Sequence, residues 1–202
     1  MYYQRYDIKS FVQTTKECLE KKPNGVIVVP ADIKVTKHFC ETMHERKIPF
    51  ILLDSYIPDV NPLTFFGQDS FSSGKFAAKM LMLLAANDKE IMLFKRMKNG
   101  KVASRQQENR ELGFRHYMNE HFPNVRIAEL DVPVEGSPES NEKKLEQFFS
   151  AHPGIRNCIT LGSKAHIVGE FLLKTNRRSV QIMGYDMVEK NAQCLRKGSI
   201  SF

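Results

Sequence analysis

The sequence predicts an α/β protein built from two parallel-sheet lobes. Three observations predict it. Short β-rich apolar runs alternate with amphipathic helical stretches along most of the chain, the pattern of parallel strands joined by right-handed crossovers. The alternation breaks once, between residues 55 and 70, where a polar loop and a stray strand intervene, so it falls into two runs. The 202 residues are 42% hydrophobic and 26% charged, enough apolar material for real cores.

The elements follow in order. Ile8, Phe11, Val12, Thr15 and Leu19 recur at helical spacing and predict a helix over residues 8–22 with one apolar face. The turn Pro23-Asn24-Gly25 introduces a run over 26–29, closed by Pro30, that reads as a strand buried on both faces. Val35, Phe39 and Met43 predict a second helix ending before Pro49, and residues 50–53 the next strand. Pro58, Asp59, Asn61 and Pro62 mark a loop. Residues 64–66 form a short strand, and a long helix starts at Asp69 or Ser70, either able to cap it, and runs to about residue 86. Further strands are expected near 91–94, 127–130, 158–161 and 180–183, with helices near 103–121, 139–152 and 164–175. The lobe boundary falls between residues 62 and 70: 1–64 in the N-terminal lobe, 65–198 in the C-terminal lobe, 199–202 beginning another strand.

Composition excludes several function classes. No run approaches the roughly 18 apolar residues of a membrane span, and residues 1–6 lack the apolar core of a secretory signal, which makes a cytoplasmic location the expectation. The net charge of +7 comes from scattered pairs such as Lys21-Lys22 and Arg177-Arg178, without interleaved aromatics, so direct DNA contact by these residues is not expected. Cys18, Cys40, Cys158 and Cys194 lie too far apart in sequence for a paired-ligand zinc site and are expected to be reduced, buried thiols. His38, Glu41 and His44 drift around their helix and read as an exposed polar face, not a metal site. Gly162-Ser163-Lys164 resembles the end of a phosphate loop, but Asn157 stands where its first glycine would. No nucleophile elbow, HExxH motif or cofactor fingerprint is present, so neither catalysis nor a cofactor is expected.

In open α/β sheets ligands bind beyond the carboxyl ends of the strands. The residues following the apolar runs there are Asp54, Asp69, Ser163 and Asp186. Asp69 reads first as a helix cap; Asp54 and Asp186 fit either a turn or a ligand contact. Arg110, near the start of its helix, works against the positive end of the helix dipole, so an acidic partner or a hydroxylated ligand is a reason to place it there.

These residues carry a family likeness. The segment Phe66-Gly67-Gln68-Asp69-Ser70-Phe71-Ser72-Ser73-Gly74 resembles the G-x-D-n-x-x-x-G crossover of LacI-type regulators and type I sugar-binding proteins. Arg110-Glu111-Leu112-Gly113-Phe114 is similar to their R-x-x-G-F helix start, Met183-Gly184-Tyr185-Asp186 to their v-G-Y-D strand end, and Leu52-Leu53-Asp54 to the strand end that presents an aspartate. The resemblance implies the type I periplasmic-binding-protein fold, two Rossmann-like lobes joined by crossover strands. It also implies a sugar or similar small polar effector bound in the cleft by Asp54, Arg110 and Asp186, with Ser163 at a fourth ligand position. Ser163-Lys164 stands where the family often has Asn-Asp, which leaves the effector's identity open.

By the same resemblance the N-terminal lobe is incomplete, with its first strand and helix outside these residues, and sheet edges or apolar helix faces are expected to be exposed there. DNA would be met only through an N-terminal head domain outside the chain, as a homodimer, with no membrane partner. An exported sugar receptor for transport or chemotaxis is the alternative the fold allows. A small α/β enzyme acting on sugars or nucleotides is the third, with no nucleophile–base pair at the strand ends to support it.

Overall fold

The computed structural model describes every residue except 5, 6, 86, 99, 103 and 202, and only the backbone of 101. The expected end of one helix at 86, start of another at 103 and last residue of the final strand at 202 therefore lie outside the described residues. The chain divides into two compact units, Met1–Gln68 and Asp69–Phe202.

In the first unit, helix α1 (Ile8–Glu20) starts where Asp7 accepts a hydrogen bond from Ser10 N, and α2 (Ile33–Glu45) where Asp32 accepts one from Val35 N. These caps satisfy N–H groups that the first turn cannot pair internally. Strands β1 (Val26–Val28), β2 (Phe50–Leu53) and β3 (Phe65–Phe66) pair in parallel in that order. The stray strand thus joins the first sheet through Leu52↔Phe65, and the division falls after Gln68, four residues beyond the expected 64.

The core of this unit gathers Val28, Phe39, Cys40, Met43, Phe50 and Leu52 with Ile57 and Val60 from the loop. One expectation is corrected here. The strand over 26–29 is not buried on both faces: Ile27 is 66% exposed and its neighbour strand's Leu53 41%. Side chains alternate across a sheet, and α2 fills only the face carrying Val28, Phe50 and Leu52, leaving Ile27 and Leu53 on the other. His38, Glu41 and His44 are all exposed, as expected, and His44 Nε2 also meets Val60 O at 2.9 Å.

In the second unit α3 (Ser70–Ala85) begins at Asp69, whose carboxylate accepts from Ser72 N (3.0 Å) and Ser72 Oγ (2.7 Å). These bonds, the backbone one first, hold the Asp69 carboxyl below its ordinary pKa. Strands β4 (Glu90–Lys98), β6 (Arg126–Pro133), β7 (Asn157–Thr160) and β8 (Gln181–Met183) form a parallel sheet in the order β6-β4-β7-β8, and β5 (Lys101–Val102) folds back antiparallel on β4. Helices α4 (Arg105–His121), α5 (Pro138–Ala151), α6 (His166–Lys174) and α7 (Glu189–Arg196) complete it. Alternation along β4 sends Ile91 and Leu93 towards α3 and α4, with Phe114 and Met118; Met92 and Phe94 go towards α5 and α6, with Leu145, Phe149 and Phe171. Ser201 N donates to Ile182 O, so the chain beyond α7 returns alongside β8. All four cysteines are free thiols, and all but Cys18 are buried. Burial raises the thiol pKa of Cys40 to about 11.

β4 runs four residues past the predicted strand, paired with β6 as far as Met97↔Pro133, and Lys95 in this stretch is buried with partners. Lys95, 8% exposed, lies 2.5 Å from Glu129, 3.4 Å from Glu111 and 3.7 Å from Asp131, and Arg115 bridges Glu111 and Glu129. Burial alone would lower the Lys95 pKa, but the bond to Glu129 and the surrounding carboxylates raise it. Glu129 is lowered: burial opposes its ionisation, and the bonds to Lys95 and Arg115 outweigh that.

Lys95→Met is expected to destabilise the chain by about 2–4 kcal/mol at neutral pH, because removing the cation leaves carboxylates facing one another. A carboxyl with a depressed folded pKa contributes stability above its unfolded value and loses it as pH falls through the folded one. The deficit of the variant should therefore shrink below about pH 4. Denaturant unfolding at pH 7 and pH 3.5 checks this; a deficit equal at both would contradict it.

Candidate functional site

The four candidate ligand residues, Asp54, Ser163 and Asp186 at strand ends and Arg110 on α4, fall in both units. In the first, Asp54 follows β2, is exposed, and has a left-handed backbone (φ 71°) fixed by its N–H donating to Phe66 O at 2.8 Å. In the second, Asp186 stands three residues after β8, also exposed and left-handed (φ 66°). Asp tolerates that conformation better than most side chains but at some cost, and strained residues at strand ends cluster at ligand sites. Ser163, half-buried, lies three residues after β7.

Arg110 is the buried member, 8% exposed. Its Nη1 donates to Leu161 O at 3.0 Å, and its guanidinium carbon lies 3.9 Å from the centre of the Tyr185 ring. Tyr185 is held by Ser73: its hydroxyl donates to Ser73 O at 2.9 Å and meets Ser73 Oγ at 3.0 Å. Burial raises the Tyr185 phenol pKa, so the ring is neutral and its face is available to the cation. The second unit thus brings Arg110, Ser163 and Asp186 to the carboxyl ends of β7 and β8. The guanidinium supplies donors in a fixed fork, while the exposed Asp186 carboxylate supplies acceptors, the complement of a polyhydroxylated molecule.

Two glycines set where Arg110 can be. A Cβ on Gly74 would lie 2.0 Å from Arg110 O, and one on Gly113 1.9 Å from Phe71 O. Helices α3 and α4 approach through bare backbone at both points, and no other residue type would allow it. Tyr185 and Asn191 are the residues that the sequence reading missed. Tyr185 was visible within its motif, but its stacking on Arg110 depends on α4, more than seventy residues earlier. Asn191 carried no signal in the sequence.

With this geometry in place, the family is clear. The chain matches the periplasmic binding protein domain family over residues 1–202 and belongs to it. Its parallel-sheet architecture is that of the type I fold. It is 42% identical, with a TM-score of 0.91, to a protein from Bacteroides fragilis described as a candidate LacI transcriptional regulator, covering 99% of this chain and 69% of that one. It is 19% identical, at a TM-score of 0.83, to a sugar ABC transporter sugar-binding protein from Bacillus halodurans, covering 96% of this chain and 66% of that one. A solute-binding protein from Burkholderia graminis solved with D-arabinose is 14% identical, at 0.84, covering 99% and 69%. Comparison with curated proteins gives no match.

Proposed function

We propose that the chain is the effector-sensing domain of a LacI-type transcription regulator, binding a small sugar at the carboxyl ends of its parallel strands. The observation that carries this reading is the 42% identity to the Bacteroides fragilis protein over 99% of the chain. The sugar class is supported by the family match and by relatives solved with D-arabinose and tagatose. Arg110, Ser163 and Asp186 are the candidate contacts of the second unit, and Asp54 is that of the first. Ligand binding works on the regulator through its differential affinity for two conformations, and the output is DNA binding by a head domain outside these residues, in a cytoplasmic homodimer.

A second reading, an exported sugar receptor, is favoured by the sugar transporter relatives of the same fold. Isothermal calorimetry of the chain with D-arabinose, D-tagatose and D-galactose tests the sugar site, and a dissociation constant below about 1 mM is expected for at least one. Failure of a panel of pentoses and hexoses would reject the sugar reading. The two readings part on the gene: a helix-turn-helix coding segment upstream supports the regulator, a secretion signal the receptor.

A further inference from the structure

The amide of Asn191, on the first turn of α7, is 5% exposed and joins the loop just before its own helix, at 185–186, to residues 163–166, more than twenty positions before Asn191. Its Nδ2 donates to Asp186 O (2.9 Å), Tyr185 O (3.0 Å) and Ser163 O (3.1 Å). Its Oδ1 accepts from His166 N and meets His166 Nδ1, both at 2.9 Å. Three carbonyls around one end fix the amide's orientation, since only the NH2 can donate to them. His166 Nδ1 must then carry a proton towards Oδ1. Burial lowers the His166 pKa, which keeps that ring neutral.

Helix α6 has no side chain of its own capping its start, Ala165 being the cap residue, and α7 likewise begins at Val188 without one. Asn191 therefore caps α6 from another helix and ties the loop before α6 to the loop before α7. Those two loops carry Ser163 and Asp186, and Tyr185, which stacks on Arg110, is in the second. Among the described residues, no other hydrogen bond joins the Ser163 backbone to the Asp186 backbone.

We propose that Asn191 is a positioning residue for the sugar site: one amide holds the β7–α6 and β8–α7 loops in a fixed register, so that Ser163 and Asp186 meet the ligand already ordered. This rests on the sugar-binding reading above. Preorganisation acts by removing an ordering cost that binding would otherwise carry, so the residue affects affinity without touching the sugar.

The test compares the wild-type chain with Asn191→Ala and Asn191→Asp, by amide hydrogen exchange and by calorimetry with D-arabinose, D-tagatose and D-galactose. Asp keeps an acceptor for His166 N but cannot donate to the three carbonyls. Exchange in residues 162–164 and 184–187 is expected to quicken together by about 10-fold in both variants. The first turn of α6 should loosen in Asn191→Ala and stay protected in Asn191→Asp. Any sugar bound by the wild type should bind both variants about 10-fold more weakly. Unchanged loop exchange in both variants, unchanged affinity for a bound sugar, or an increase spread evenly over the whole sheet would each overturn the proposal. If the wild type binds none of the three sugars, the sugar reading loses its support, and loop exchange alone then decides for or against the Asn191 tie.

Discussion

Arg110→Ala is expected to weaken sugar binding by roughly 100-fold or more, on the basis of about 1.5–3 kcal/mol for each hydrogen bond from a charged donor. The size follows from where the guanidinium is. It is buried to 8% exposure and held in place by Leu161 O and the Tyr185 face. A donor fixed in this way spends little entropy on meeting a ligand, unlike a surface arginine. The substitution has a second effect, because Leu161 O loses a buried donor at a cost of about 1–3 kcal/mol. Stability and affinity must therefore be read separately. Arg110→Lys separates them: it keeps the charge and can reach one acceptor, but loses the fork and the flat face against Tyr185. The expected order of affinity is wild type, then Arg110→Lys, then Arg110→Ala, measured by calorimetry well below each variant's melting temperature. If Arg110→Ala bound a sugar as tightly as the wild type, Arg110 would be a packing residue and the ligand would be elsewhere.

The sequence carried the strand ends and the motifs because those are local. A strand closed by an Asp, or a helix opened by an Asp or Ser, shows itself within a few residues, and Asp69 proved to be the cap that position suggested. Features that depend on distant segments were hidden. Whether 26–29 was buried on one face or two depended on what covers the sheet. Lys95 looked like the end of a strand because a lone buried lysine is unfavourable, and its three carboxylates come from α4 and β6. Helix α7 was overlooked since eight residues with Ala192 and Cys194 buried make too short an apolar pattern. The Asn191 tie reaches back 25 residues to His166 and 28 to Ser163. Its five contacts are all hydrogen bonds, which hydrophobic periodicity does not record. Arg110 lies between these cases: its awkward place near a helix N-terminus marked it, but not its partners.

Gly113→Val should be the most destabilising single change in the α3–α4 contact, costing roughly 3 kcal/mol or more. A Cβ at 113 would lie 1.9 Å from Phe71 O, where ordinary contact begins at 3.4 Å. The atom it meets is backbone within a helix, so no rotamer change relieves it and one helix must move away. Moving α4 opens the packing of Phe114, which is fully buried on this face of the sheet. At about 2–4 °C per kcal/mol for a chain of this size, the melting temperature should fall by about 6–12 °C. Gly154→Ala is the control, since nothing lies within 4 Å of its Cβ position and its backbone φ is not in the left-handed range; it should melt within a degree or two of wild type. Gly74→Ala strikes the same crossing through Arg110 O at 2.0 Å, and once either substitution has parted the helices the second finds room. The double variant should then lose clearly less than the sum of the singles. The same displacement moves Arg110 away from Leu161 O, so Gly113→Val should also weaken sugar binding below its melting temperature. A Gly113→Val chain that melts with the wild type would mean that α3 and α4 are not held at this distance by their glycines.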